Sequence, residues 1–506
     1  MKKSLFFVLA FAGLVLAGCN SKENAKKVYQ QAYFASFGFA AADNEAFPFD
    51  QIKENPSAGK ISFTLPVGTP ASVLTSLKPV FEVEVPKTEK TEPVVSVGGE
   101  PVQSGAALDF SSVVDFVITV GDVNTLYSVE VKVKNAPSWV LIASSDSTVY
   151  NTAPYLEVNP VSGDPVVVTQ NTYGNRNVFA FKVEGTKLVN LTSSAYISEN
   201  DGRDCSVAFD PDGTPYIAYY DCKDGTGAAN LKVSVKKVTA EGAVYVGEQG
   251  AIANPESGAP ILFPIAANNI YVASNFGRGA VAAGFTRRNH NLAQWDGTAW
   301  TNNVALAERP SKRGYNNYSA FTKDAAYLMI FDNATSGAHV MDIYKYAEGA
   351  WSVVKEGFAP KTTTDGSVIG TIYTTNQSIA ADDNGNVYVS LGADYDGSGY
   401  SLGVTRISAK DTTLIGGVIA DAYVHTSTQS SVAVDALGTP YIAYFDNVID
   451  KVAIRWIDSS TKTWSDPVVI SGSSSRISNI KFNKDGRGFI AVKNDEGKLA
   501  LYATAE

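Results

Sequence analysis

Apolar and polar residues alternate along most of this chain with a period of two, in short runs that Gly, Asp and Asn interrupt. KISFTLPV (60–67), VFEVEVP (80–86) and YSVEVKV (127–133) each place their apolar side chains on one face of a strand. From Pro137 onward the runs come in pairs. SVAFDPDGTPYIAYYD (206–221) and SVAVDALGTPYIAYFD (431–446) agree at 12 of 16 positions. Each is an apolar run, a Gly-containing turn, then an aromatic and β-branched run ending in Asp, which is the pattern of a β-hairpin. More diverged copies lie at 155–171, 260–275, 319–332, 378–394 and 479–494. Two further strand-like runs follow the hairpins, as in VAIRWID (452–458) and WSDPVVI (464–470). Four strands per unit, written seven times, predict a seven-bladed β-propeller.

The seventh unit runs out of chain. Only KLALYATAE (498–506) follows its hairpin, enough for a third strand and no fourth. SWVLIAS (138–144) precedes the first hairpin and carries Trp139, as other fourth runs carry Trp300, Trp351 and Trp464. An open edge would leave a row of unpaired backbone groups. The pattern therefore predicts that 138–144 completes the blade begun by 479–506, so that strands from both ends of the region close the ring. The Trp residues read as blade-packing residues rather than ligand platforms.

The fold class is thus all-β. Residues 33–135 form a separate unit of short strands at regular spacing, expected to be an immunoglobulin-like β-sandwich without its cysteines, and 136–506 form the propeller. Composition changes this picture in one respect: a net charge of −10 over 506 residues leaves no basic face for nucleic acid.

The first eighteen residues add a location. Lys2 and Lys3 precede the apolar stretch 5–18, which is too short for a membrane span and reads as a signal peptide. Leu16-Ala17-Gly18-Cys19 resembles the bacterial lipobox. The resemblance implies cleavage before Cys19 and lipidation of that residue, with 19–32 as a polar tether. Asn20 in place of a retention Asp favours delivery to the outer membrane, at the cell surface or on the periplasmic side. The segments 65–83, 103–112 and 127–133 resemble an N-terminal module of Gram-negative surface lipoproteins over about a fifth of the chain. That resemblance implies a spacer or docking domain and brings no catalytic residue. Cys205 and Cys222 flank the hairpin turn 210–214, and an oxidising compartment leads to the expectation of a disulfide between them.

Candidate chemistry gathers where second strands end. Asn171, Asp221, Asn275, Asp332, Asp394, Asp446 and Asn494 form a series that either shapes turns or rings a channel mouth. Residues leading into first strands are also polar: Arg203, Asp204, Asn317, Tyr318, Gln377, Gln429 and Arg476, with His425 in the preceding loop. Arg278, Arg287, Arg288 and His290 make one basic loop. Amides, carboxylates, hydroxyls and aromatics suit hydroxyl-rich ligands, so glycan is the first expected partner and an envelope protein the second. Asp394 and Asp396 open a segment like a calcium loop, but Thr405 stands where the bidentate Glu of an EF-hand belongs. No cofactor is expected beyond such an ion. The chain has no nucleophile elbow, zinc-protease motif or P-loop. A binding protein is therefore the leading expectation, a polysaccharide lyase or glycoside hydrolase the alternative, and an envelope scaffold the third.

Overall fold

Gly213, at φ 82°, and the Asx turn made by Asp210 fold the 206–221 segment back on itself. The strand Gly202–Phe209 then pairs antiparallel with Pro215–Asp221. The same local chemistry recurs along the chain. In the computed structural model it is described for residues 31–85, 91–149, 154–170, 176–199, 201–224, 230–239, 241–253, 255, 258–306, 316–335, 338–359, 377–395, 399–425 and 428–505.

Among the described residues the structure is all-β apart from two short 3-10 turns, with sheets of three to eight strands. Residues 202–470 make five separate four-stranded antiparallel sheets. An eight-stranded sheet contains two more four-stranded sets. One runs through Tyr155–Val158, Pro165–Gln170, Val178–Glu184 and Lys187–Asn190. The other runs through Ser473–Phe482, Gly488–Asn494, Lys498–Thr504 and, as its outermost member, Trp139–Thr148. Leu501 pairs with Ala143 and Thr504 with Trp139, so the last described strand is covered by one that lies some 350 residues earlier in the chain. We number the sets one to seven, beginning at Tyr155. First strands of consecutive sets pack on one another, and that of the seventh packs on that of the first.

The apolar cores lie between sets. Ala208, Tyr216, Ala218 and Tyr220 of the second set pack with Leu262 and Val272 of the third. Trp351 packs edge-on against Phe263 and Tyr271. The indoles of Trp300 and Trp464 donate to carbonyls of the preceding set, at Val246 and Gly417. Trp300 and Trp351 act as packing elements.

Residues 33–133 build two facing sheets of three and five strands. Gly59–Leu65 runs parallel to Val123–Val133 at the edge of the larger one. Phe34, Phe37, Phe39, Phe63 and Phe116 fill the space between them, each almost fully buried. This unit meets the sixth and seventh sets through their hairpin turns. The Lys134 ammonium lies 2.9 Å from the Asp435 carboxylate, and Ser459 donates its N–H to the Val67 carbonyl at 3.1 Å. Val67 itself is buried in the core shared by those sets.

The cysteines correct the sequence reading. Cys205 and Cys222 are both free and buried. Ser206 pairs with Ala218 and Val207 with Ile217, which puts Cys205 level with Tyr219. A bulge between Arg203 and Ser206 shifts the rest of the strand, and the Cys222 N–H meets the Asp201 carbonyl at 3.0 Å. The two side chains also leave opposite faces. Cys205 packs with Val207, Ile217 and Tyr219, whereas Cys222 packs with Tyr216, Ala218 and Tyr220. No rotamer change brings them together. Burial pushes both thiols up, that of Cys222 to about 11. A Cys19→Ser chain is expected to give two reactive thiols when unfolded without reductant, and neither should react quickly in the native state. Finding no free thiol in the unfolded chain would restore the disulfide.

Candidate functional site

Second strands end on the face where first strands begin, and the closing Asx residues lie there. Their side chains are committed locally. Asp221 is fully buried: Oδ1 accepts the Lys223 N–H at 2.9 Å, and Oδ2 accepts Ser234 Oγ and Gln249 Nε2 at 2.8 and 2.9 Å. Asp446 Oδ1 accepts the N–H groups of Val448 and Ile449. Asn494 Oδ1 accepts those of Glu496 and Lys498. Asp394 accepts the Gly399 N–H at 3.5 Å, and Asn275 is buried opposite His290. These residues stitch the end of the second strand to the loop beyond it, as short polar side chains do at turns. Asn171, Asp396 and the side chains of Asp332 and Arg476 lie outside the described residues. No group of three or more His, Cys, Asp or Glu among the described residues is placed to hold a metal ion.

The basic loop divides. Phe276 stacks on Phe285 with centroids 4.2 Å apart, and Gly284 (φ 88°) closes the short turn Arg278–Ala283. Arg278 is exposed and Arg288 half-buried, while His290 is buried inside the strand His290–Trp295.

The polar residues that lead into first strands do share one face, spread around it. In the second set the bulge holds Asp204 at φ 41°, a left-handed conformation uncommon outside Gly. Its N–H donates to Gln170 Oε1 at 3.2 Å, and Arg203 lies 3.4 Å from Asp201. Burial raises the Asp204 carboxyl even though Arg176 and Arg203 pull the other way. Across the ring the Tyr318 hydroxyl donates to Gln377 Oε1 at 3.0 Å, beside buried Asn317. His425 stacks on Tyr423 at 5.4 Å, and Gln429 is half-buried just before the strand Ser431–Val434.

Two features escaped the sequence reading. One is a second Asx series on the opposite face. Asn159, Asp210, Asp382, Asp435 and Asn483 cap the hairpin turns through backbone N–H groups, and Tyr216, Tyr388 and Tyr441 donate to three of them. The recurring Asp or Asn, Gly and Tyr of the hairpin motif was the available signal. The other is a polar core to the ring. The Tyr155 hydroxyl meets Ser319 Oγ at 2.9 Å, linking the first set to the fourth. Glu157 pairs with Lys481 at 2.9 Å, linking the first to the seventh. The signal here was a pair of opposite charges, Glu157 and Lys481, at the turn-proximal ends of the first strands of the first and seventh sets.

No protein-family model matches the chain, and no curated protein matches it. Among solved structures, the chain is similar to an ulvan lyase of polysaccharide lyase family PL25 bound to -[GlcA(1-4)Rha3S]-, at 13% identity over 72% of this chain and 95% of that chain, TM-score 0.44. It is similar to the BP39L lectin from Burkholderia pseudomallei at 12% identity, over 70% of this chain and 96% of that chain, TM-score 0.45. It is also similar to an α-L-arabinanase from Penicillium chrysogenum complexed with arabinobiose, at 10% identity over 73% and 98%, TM-score 0.40. These likenesses concern chain course and transfer no residue or activity.

Proposed function

We propose that this chain is a lipid-anchored cell-envelope binding protein that recognises glycan on one face of a seven-bladed propeller. In this reading residues 1–18 are the signal peptide, Cys19 bears the lipid and 19–32 are the tether. Residues 33–135 are an immunoglobulin-like sandwich that acts as a spacer, delivered with the propeller to the outer membrane. One observation carries the reading. The N-terminal unit engages strand-connecting turns of the sixth set, through Lys134 on Asp435 and Val67 on Ser459, and the hairpin turn of the seventh, through Lys134 on the Gly486 carbonyl. The face with Arg203, Asp204, Gln377, His425 and Gln429 is the other one, so a tether on the first unit would hold it outward. That face offers amides, a guanidinium and aromatic rings, which match the hydroxyls and C–H faces of sugars.

A second reading, a carbohydrate-active enzyme, has one observation behind it. Asp204 is half-buried and held at φ 41°, and desolvation raises its carboxyl despite Arg176 and Arg203, the direction a general acid needs. Incubating the full chain with a panel of polysaccharides separates the readings by scoring both retention and product release. Retention without products is the expected result, with Arg203→Ala and Gln429→Ala weakening it. Product formation abolished by Asp204→Asn would establish the enzyme instead. Silence in both assays would leave a protein partner or scaffold role.

A further inference from the structure

The outer cleft between the fifth and sixth sets holds a cluster that the channel face does not use. The strand Thr412–Ile419 leaves register with Tyr400–Ile407: Val404 pairs with Ile415, but Leu402 pairs with Ile419. Two extra residues are accommodated there, and Gly416 and Gly417 sit at φ 67° and 77°. The bulge swings the backbone toward the sixth set, where Gly416 bridges to Thr463 and the Gly417 carbonyl accepts the Trp464 indole N–H at 3.2 Å. A Cβ on Gly416 would fall 2.6 Å from Ile457 and 2.8 Å from the indole, so this approach requires glycine. The bulge opens a cavity of about 350 Å³, lined by Val418, Asp421, Arg455, Thr463 and Trp464 among others.

Its polar wall is fixed. Arg455 donates from Nε to the Tyr444 hydroxyl, from one terminal nitrogen to the Ser465 carbonyl and from the other to Asp421 Oδ2, each at 2.7 Å. Tyr444 also donates to Asp421 Oδ2 at 3.2 Å. A guanidinium has five N–H groups, and these bonds use three of them. Asp421 is desolvated, yet hydrogen bonds to Arg455 and to the neighbouring Asp446 carboxyl hold it below the usual range, so the wall sets one guanidinium against two carboxyl groups.

The second set shows what this arrangement looks like as pure structure. There Tyr219, Lys236 and Glu199 occupy corresponding places, and Tyr245 covers the ammonium at 4.2 Å from its ring centroid. The Lys236 side chain is only 4% exposed, against 18% for Arg455, while Glu199 is 61% exposed, against 24% for Asp421. The second set thus shields its cation and leaves its carboxylate to solvent, whereas the fifth–sixth cleft leaves both the Arg455 cation and the Asp421 carboxylate partly open.

We infer that this cleft is a second binding site, for a single neutral hexose-type ring. Paired N–H donors beside a carboxylate match two adjacent hydroxyls, each of which both donates and accepts. The Thr463 hydroxyl and the indole offer a further polar contact and an apolar face. One guanidinium already engaged by two neighbouring carboxyl groups selects against uronic or sulfated sugars. Ligand pockets span roughly 300–1,000 Å³, and this one stands at the small end. The site adjoins the channel face at Asp446 but does not depend on that face binding glycan.

The test is NMR on the full chain, following the six Trp indole N–H signals during millimolar titration with glucose, galactose, mannose and glucuronic acid. Trp464→Phe assigns the resonance. The expected result is that at least one neutral hexose shifts the Trp464 signal and that glucuronic acid binds about tenfold more weakly or not at all. Arg455→Lys, which keeps the charge and loses the fork, should weaken binding about tenfold. Thr463→Trp should fill the cavity and abolish binding while leaving the other indole signals and polysaccharide retention at the channel face unchanged. No Trp464 shift with any neutral hexose, tighter binding of glucuronic acid, or undiminished binding in the Thr463→Trp chain would each overturn the inference.

Discussion

A chain that stops at Gly497 is expected to lose the cooperative thermal transition of residues 138–497. The strand Lys498–Thr504 lies in the interior of its sheet, paired with Gly488–Asn494 on one side and Trp139–Thr148 on the other. Leu499, Leu501 and Ala503 are fully buried, and Ala500 nearly so. Truncating one buried Leu to Ala costs about 2–5 kcal/mol. Two Leu side chains together with two lost ladders approach the roughly 5–15 kcal/mol that holds a whole domain. The deletion also leaves two strand edges facing each other across a gap, a template for aggregation. Calorimetry should show the large transition gone and any residual melting confined to the N-terminal unit, whose Phe-rich core is separate. The milder Leu501→Ala should keep the transition and lower its midpoint by several degrees. A truncated chain that melts like the full one would mean that Trp139–Thr148 is not needed to close the ring.

The repeat made this much legible from sequence, because each hairpin carries its turn chemistry and strand pattern within sixteen residues. Closure was legible for the same reason: the seventh unit visibly lacked a strand, and a spare run with Trp139 stood before the first. What failed required register. Cys205 and Cys222 look symmetric about a turn when residues are counted outward, but the bulge at Arg203–Ser206 and strand alternation put them on opposite faces. The Asp221, Asp446 and Asn494 series is periodic, as a ring of ligands would be. The period arises because each second strand ends in a turn that needs a short acceptor. The fifth–sixth cleft left almost no local trace. Gly416-Gly417 reads as a loop until pairing shows it to be a bulge, and Asp421, Tyr444 and Arg455 are brought together only by the ring.

The charged pair inside the ring shows how burial gives a contact its weight. Glu157 and Lys481 meet at 2.9 Å with side chains 12% and 20% exposed, joining the first strands of the two sets that meet at the closure. Glu157→Ala is expected to destabilise the chain by about 3–5 kcal/mol, because it strands an ammonium where solvent hardly reaches. The double replacement Glu157→Leu with Lys481→Met should recover most of that loss, since apolar side chains of similar volume need no desolvation. Alkaline pH gives an independent check. Burial on its own would lower the Lys481 ammonium, but Glu157 and Tyr155 outweigh it and hold the group above its ordinary value of about 10.4. A cation whose folded value is raised contributes in full below the unfolded value and fades as pH climbs through the folded one. The melting temperature of the native chain should therefore fall more steeply than that of the double variant above about pH 10.4. Tyrosine ionisation, which also sets in there, is common to both chains except at Tyr155, which faces the pair, so both chains carry Tyr155→Phe in this comparison and the rest cancels in the difference. Parallel curves together with a mild single replacement would show the pair to be solvated, and the channel between the sets to be open to water.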